Sequence, residues 1–259
     1  MAILLTGATS GLGRWLASRL AATGETVLVH GRDPSKVEET MAGLDGRAEG
    51  YVADLASLTE VRELADAVAR RGDLRTLVNN AGLGFGSPGK GRELSADGFE
   101  LRWAVNYLAP VALTRALLPS LRANGPARIV NVGSLGQAPI DFDDLRMDHG
   151  YDGTLAYRRS KLALAAWSFE LADELRDDGI AVNCLHPATF MATGMVAEAG
   201  INPLSTVDEG GAATLRLIME DVGTGGFFDG QRPTRAHRDA YDPGVRARLR
   251  EATEAALAA

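Results

Sequence analysis

A single doubly wound α/β domain, one parallel sheet covered by helices on both faces, is what the 259-residue sequence predicts. Two observations carry this prediction. Short, almost wholly apolar runs alternate along the chain with longer amphipathic stretches, and strands of that kind belong to sheets buried on both sides. In addition, no internal repeat, low-complexity tract or linker divides residues 1–259.

The elements follow in order. Ala2–Leu5 is the first strand, and Leu12, Trp15, Leu16 and Leu20 then recur at helical spacing. Thr26–His30 is the second strand. Asp33-Pro34 starts the next helix, an acid at the cap and a proline at the first helical position. Gly50–Ala53 is a third strand, Leu58–Arg70 a helix and Leu74–Asn79 a fourth strand. A long helical pattern covers about Ala96 to Leu121, with Pro110 and Pro119 expected to kink or end it. Ala127–Val132, helix Thr154–Arg176, Ile180–Leu185, helix Asp208–Met219 and a short strand within Gly226–Asp229 complete the pattern, before a terminal helix after Pro243.

Composition removes several function classes. With 46% hydrophobic and 24% charged residues the chain can bury an ordinary core. A net charge of −7 opposes binding to a nucleic-acid backbone. One cysteine, Cys184, forms no internal disulfide, and the four histidines are scattered, so no metal site is expected. The acidic run Asp141-Phe142-Asp143-Asp144 lacks the glycine and terminal glutamate of a calcium loop and reads as solvated. Apolar runs are far shorter than the roughly 20 residues a bilayer requires, and no basic segment precedes the first strand. A cytoplasmic setting without a membrane span is therefore expected.

Ligands of open parallel sheets bind beyond the carboxyl ends of the strands. After the first strand comes Thr6-Gly7-Ala8-Thr9-Ser10-Gly11-Leu12-Gly13. Small residues there let backbone N–H groups approach an anion at a helix N-terminus. The second strand ends His30-Gly31-Arg32. An acid at that place would favour NAD(H) through the ribose hydroxyl, whereas a guanidinium accommodates a 2′-phosphate, so Arg32 points to NADP(H) with NAD(H) as the weaker ligand. Asp33 is adequately explained as a helix cap.

Tyr157 and Lys161 stand four residues apart on one predicted helical face. With five tyrosines and three lysines in the chain, such a pair is expected by chance only about 0.06 times. A phenol of ordinary pKa about 10 shuttles protons poorly near neutrality. An ammonium about 4 Å away, at an effective dielectric near 20, would favour the phenolate by about 4 kcal/mol, or about 3 pKa units. The spacing thus predicts a phenol titrating near neutral pH.

The glycine loop, Asn79-Asn80-Ala81-Gly82, Asn106, Ser134 and Tyr157-xxx-Lys161, in this order and spacing, resemble the short-chain dehydrogenase/reductase family from Ile3 to about His186. The resemblance implies a Rossmann-type NAD(P)-binding fold with the catalytic set Asn106, Ser134, Tyr157 and Lys161. It implies that Gly7, Ser10, Gly11, Leu12 and Gly13 hold the pyrophosphate, that Asp54 and Leu55 meet the adenine, and that Asn80, Ala81 and Gly82 back the adenosine ribose. Ser134 would bond the substrate carbonyl and Tyr157 would protonate it. Lys161 would hold the nicotinamide ribose and depress the tyrosine pKa, and Asn106 would position a water that refills the proton. Pro187 with Thr189 or Thr193 would bind the carboxamide side.

Two departures are visible. Ser134 and Tyr157 lie 23 positions apart, a wider gap than is usual, and the extra stretch Gln137–Gly153 resembles the retinol-dehydrogenase-like and WW-domain-oxidoreductase-like branch. It is expected at the active-site mouth. The other departure is His186-Pro187-Ala188, where the family usually has Pro-Gly. Residues of about 190–240 are expected to form the substrate pocket, with Phe190, Met191, Met195, Ile201, Phe227 and Phe228 each either wall or core. The implied function is an NADPH-dependent carbonyl reductase or alcohol dehydrogenase acting on a hydrophobic ketone, aldehyde or secondary alcohol. A non-catalytic cofactor-binding sensor or scaffold, and a lyase or epimerase using bound nicotinamide, are the alternatives. Homodimers or homotetramers through the two long helices are also implied.

Overall fold

The computed structural model describes residues 1–258. Eight strands form one sheet in the order β3-β2-β1-β4-β5-β6-β7-β8. These are β1 (Ala2–Leu5), β2 (Thr26–Gly31), β3 (Ala48–Val52), β4 (Leu74–Asn79), β5 (Ala127–Val132), β6 (Ile180–His186), β7 (Phe227–Asp229) and β8 (Arg232–Thr234). Strands β1 to β7 are parallel, and β8 pairs antiparallel with β7. The order reverses direction between β1 and β4, which opens a crevice there.

Alternation along the strands feeds two cores. Ile3, Leu5, Val27 and Val29 face helices α1 (Gly11–Ala21), α2 (Pro34–Ala42) and α8 (Val207–Met219), the last preceded by the short α7 (Gly194–Glu198). Leu4, Leu28, Leu77 and Ile129 face α3 (Leu58–Ala69), α5 (Ala109–Ala123), α6 (Gly153–Glu174) and α9 (Pro243–Ala258). The helix starts are locally encoded: Asp33 Oδ1 accepts from the N–H groups of Ser35 and Lys36 at 3.0 and 3.3 Å, and Asp152 Oδ1 accepts from Leu155 at 2.7 Å.

The predicted long helix differs at its start. Residues 95–99 form a turn closed by Ser95 N–H to Phe99 O at 2.8 Å, with Gly98 at φ 78°, so the first helical turn is α4 (Leu101–Trp103). A π-helical turn, Ala104–Leu108, links α4 to α5 and carries Asn106. Helix α5 runs through Pro119 without ending, because Pro119 lies on the exposed face, where a freed carbonyl is hydrated at little cost. Strand β8 escaped sequence reading because Arg232-Pro233-Thr234 is exposed and offers no apolar pattern.

Helix α9 lies over the outer side of α6 and the π-turn. Tyr107 and Thr253 share a hydrogen bond of 2.6 Å, Arg115 pairs with Glu254 at 2.6 Å, and the Arg246 guanidinium sits 5.6 Å from the Phe169 ring centre. Part of the face expected to meet a second subunit is thus covered by the chain itself.

The stretch 137–153 is pinned to neighbouring loops by side-chain bonds. Arg146 donates to Gly98 O at 2.6 Å, Arg92 pairs with Asp148 at 2.7 Å, and Arg102 donates to the Tyr151 hydroxyl at 2.6 Å. Asp144 accepts from the N–H groups of Asp148 and His149, and Asp141 and Asp143 face Arg159 and Arg248. No helix among the described residues is long and apolar enough to cross a membrane.

Candidate active site

A cavity of about 1030 Å³ opens beyond the carboxyl ends of the strands, lined by the loops that follow β1 to β6. Every residue given above a catalytic or cofactor role lines it, except Asn106.

The glycine loop is shaped by close approach. Gly7 and Gly11 have φ of 64° and 48°, in the left-handed region that a side chain disfavours. A Cβ on Gly13 would lie 2.0 Å from Gly7 O and 2.7 Å from Asn80 Nδ2. The Asn80 amide donates to Thr6 O at 2.8 Å and Gly7 O at 3.2 Å, and Thr6 Oγ1 accepts from the N–H groups of Asn80 and Ala81, both at 3.0 Å. The Asn80 side chain therefore ties the end of β4 to the end of β1.

His30 is a strut that sequence reading passed over as an ordinary strand residue. Its Nδ1 accepts from Gly7 N–H at 3.2 Å, which leaves Nε2–H to donate to Ala53 O at 3.1 Å. The ring joins the glycine loop to the segment before Asp54. Burial pushes its pKa down to about 4. Because the folded value lies below the unfolded one, about 6.5, the stability this group contributes is complete above pH 6.5 and is lost as pH falls through 4. Urea unfolding at pH 7 and pH 4.5 is expected to show wild type losing about 2–3 kcal/mol more than His30→Asn. Equal losses would mean that His30 is not held neutral.

Arg32 is exposed, lines the cavity and has no ion-pair partner among the described residues. Asp33 spends its carboxylate on the start of α2. Asp54 accepts from Ala56 N–H at 2.9 Å, closing a local turn while the residue lines the cavity.

Ser134 follows β5, and Tyr157 and Lys161 project from successive turns of α6; all three are buried. Ser134 Oγ accepts from Gly136 N–H at 3.0 Å. Lys161 Nζ donates to Val132 O at 2.8 Å and stands 5.7 Å from the centre of the Tyr157 ring. Burial lowers the Lys161 pKa to about 8. Burial also raises the Tyr157 pKa, with the Ser134 hydroxyl pulling the other way. This differs from the expectation of a phenol shifted toward neutrality by the lysine: the helical spacing is right, but the ammonium is held on the Val132 carbonyl, and burial of the phenol is the largest influence on it.

Asn106 does not reach the cavity. Its Oδ1 accepts from Leu83 N–H at 2.7 Å, and its Nδ2 donates to Leu83 O and Ser160 Oγ, both at 3.0 Å. These three bonds hold the loop after Gly82 against α6. Gly82 lies between them: a Cβ there would meet Asn106 Oδ1 at 3.2 Å and Lys161 Nζ at 3.5 Å.

After β6, the Thr189 hydroxyl pairs with His186 Nε2 at 3.0 Å, while the Thr193 methyl would lie 3.1 Å from a Cβ on Gly11. Of the six apolar candidates, Phe190, Met191 and Met195 line the cavity. Phe227 and Phe228 are core, and Ile201 borders an adjoining cavity of about 610 Å³ together with Tyr151 and Gly153 of the inserted stretch. Phe85, Leu94 and Leu135 also line the main cavity and carried no signal in the sequence. Leu94 and Leu135 are exposed apolar residues at 48% and 45%, as is Met195 at 38%, so the opening has an apolar rim. No cluster of potential metal ligands occurs among the described residues.

The short chain dehydrogenase family matches residues 1–203. Retinol dehydrogenase 13 of Mus musculus is 38% identical over 194 residues, 71% of this chain and 57% of that protein, so the match spans little more than half of that relative. The "Putative daunorubicin C-13 ketoreductase DnrU" of Streptomyces sp. (strain C5) is 34% identical over 270 aligned positions, 98% of this chain and 92% of that one. A crystal structure of an uncharacterized protein from Mycobacterium Paratuberculosis superposes with a TM-score of 0.84 at 30% identity, over 99% of this chain and 93% of that one. The 3-ketoacyl-(acyl-carrier-protein) reductase from Brucella melitensis, complexed with NADH, gives 0.72 at 25% identity over 88% and 95%. The NADPH-bound carbonyl reductase from chicken fatty liver gives 0.70 at 25% over 91% and 98%. The chain belongs to the short-chain dehydrogenase family of oxidoreductases, in its retinol-dehydrogenase-like branch.

Proposed function

We propose that the protein is an NADP(H)-dependent carbonyl reductase, or in reverse an alcohol dehydrogenase, for a ketone, aldehyde or secondary alcohol with a hydrophobic body. The observation that carries this reading is that Ser134, Tyr157 and Lys161 line the same cavity as the Gly7–Gly13 loop. The cradle fits a dinucleotide: its glycines leave little room for side chains, and the N-terminus of α1 that follows is a place where backbone N–H groups can meet an anion. When bound, the nicotinamide supplies or takes the hydride.

The chain's own residues do the rest. Gly7, Ser10, Gly11, Leu12 and Gly13 hold the pyrophosphate, Arg32 the 2′-phosphate, Asp54 and Leu55 the adenine. Asn80, Ala81 and Gly82 form the wall behind the adenosine ribose, Lys161 holds the nicotinamide ribose, and Pro187, Thr189 and Thr193 flank the carboxamide. Ser134 donates a hydrogen bond to the substrate carbonyl oxygen, and Tyr157 gives that oxygen its proton. A raised Tyr157 pKa keeps the phenol in its donor form at neutral pH, which suits the reductive direction. A cytoplasmic setting and association into homo-oligomers belong to the same proposal.

The test is NADPH oxidation across a panel of aliphatic and aromatic ketones and aldehydes. Turnover of at least one is expected; micromolar NADPH binding without oxidation by any would return the reading to a sensor. Arg32→Ala should weaken NADPH by about 10–100-fold, the worth of hydrogen bonds to a charged group, and NADH by less than about threefold. Equal weakening of both would remove the phosphate role.

A further inference from the structure

Phe190 has φ 44°. A bulky side chain rarely adopts that conformation, whereas glycine and asparagine take it readily. Phe190 is not core: it is half-buried and lines the main cavity. The conformation is imposed from outside. Leu204 N–H donates to Phe190 O at 2.9 Å, Ser205 Oγ donates to Thr189 O at 2.6 Å, and Ala192 N–H donates to Ser205 O at 3.1 Å.

The Phe190 ring meets Phe85 edge-on, with centres 6.5 Å apart and planes at 81°, and Phe85 meets Tyr157 edge-on at 4.7 Å and 82°. Phe85 is itself fixed. Buried Arg102 donates to Gly84 O at 2.7 Å and to Phe85 O at 3.1 Å, and is braced by Glu100 and Tyr151. Three rings in successive perpendicular contact therefore run from the proton donor along one side of the cavity, two of them held by devices that serve no core packing.

We infer that Phe190 and Phe85 determine specificity, forming an aromatic wall beside Tyr157 that favours a carbonyl compound with a planar aromatic or conjugated body over a saturated one of equal size. This rests on the carbonyl-reductase reading above. Perpendicular ring contacts attract through the ring quadrupoles beyond what burial of area gives, and a saturated body gains only the area. Backbone strain of this kind clusters at active sites and ligand clamps.

The test uses the protein saturated with NADP⁺ and two probes, 2-acetylnaphthalene and its decahydro analogue, titrated calorimetrically. Wild type is expected to bind the aromatic ketone about three- to tenfold more tightly, although the saturated one is the more hydrophobic. Phe190→Ala and Phe190→Gly should both lose that preference and keep NADP⁺ affinity within about twofold. Phe190→Gly should melt about 2–4 °C above Phe190→Ala, because glycine takes φ 44° without a Cβ penalty. No preference in wild type, a preference retained in either variant, a parallel loss of NADP⁺ affinity or equal melting temperatures would each overturn the inference. NADPH oxidation separates it from the reading beneath it. An aromatic preference in binding with no ketone or aldehyde of the panel above reduced would sink the reductase assignment alone; reduction of both ketones without preference would sink the aromatic wall alone.

Discussion

Tyr157→Phe is expected to lower kcat/KM for carbonyl reduction by about 10²–10⁴-fold, the worth of a positioned proton donor, which is about 3–5 kcal/mol of transition-state stabilisation. Cofactor affinity should stay within about threefold, because the substitution keeps the ring and its edge contact with Phe85 and removes one oxygen. The pH profile sharpens the test. Reduction needs the phenol protonated, and burial raises the Tyr157 pKa, so the donor remains charged with its proton well past neutrality. The limb that falls with Tyr157 deprotonation is expected on the alkaline side of an ordinary phenol's. Burial places Lys161 near 8, so an inflection there belongs to the loss of its ammonium proton and should vanish in Lys161→Met. A falling limb near pH 7 that is lost in Tyr157→Phe and moves to alkaline pH in Lys161→Met would restore the lysine-depressed phenol that helix spacing suggests. Turnover by Tyr157→Phe within about threefold of wild type would remove Tyr157 as the donor.

That contrast shows where sequence is informative here. The i, i+4 relation of Tyr157 and Lys161 is local helix geometry, and it holds in α6. The charge effect inferred from it depends on where Nζ points and on how dry the site is, and neither is local: Val132, 29 positions from Lys161, accepts the hydrogen bond from its ammonium. The glycine loop was legible because its constraint lies within one strand-to-helix turn. Phe190, Phe227 and Phe228 look alike in sequence, yet Phe227 and Phe228, adjacent in β7, fill the two opposite cores. Only strand order assigns them there. Phe85 and Leu135 reach the cavity through loops whose paths are set by distant contacts, such as Arg102 on the Phe85 carbonyl. His30 was hidden for another reason: an imidazole inside an apolar strand resembles a tolerated polar residue until its two partners, Gly7 and Ala53, are seen to come from different loops.

Gly13→Ala sets two effects against each other, and their sizes decide the outcome. Gly13 lies within α1, where alanine is the better helix former by about 1 kcal/mol, so propensity alone predicts stabilisation. The added Cβ, however, would stand 2.0 Å from Gly7 O and 2.7 Å from Asn80 Nδ2. Neither partner can yield cheaply. Gly7 is held by its own N–H on His30 and by the Asn80 amide on its carbonyl, and the Asn80 amide is also bonded to Thr6 O. The loop must move as a unit, at the cost of an overpacked core, about 1–3 kcal/mol and often more where backbone is struck. The net expectation is a loss of about 1–2 kcal/mol and a melting temperature lower by about 2–8 °C. NADP⁺ binding should become undetectable at about a hundred times the wild-type Kd, because backbone N–H groups displaced by about 1 Å no longer converge on a phosphate. Gly91→Ala supplies the control: a Cβ there meets nothing within 4 Å, so stability should stay within about 0.5 kcal/mol. Thermal melts and equilibrium cofactor titration of both variants decide the matter, and wild-type values for Gly13→Ala would show that this loop does not form the phosphate cradle.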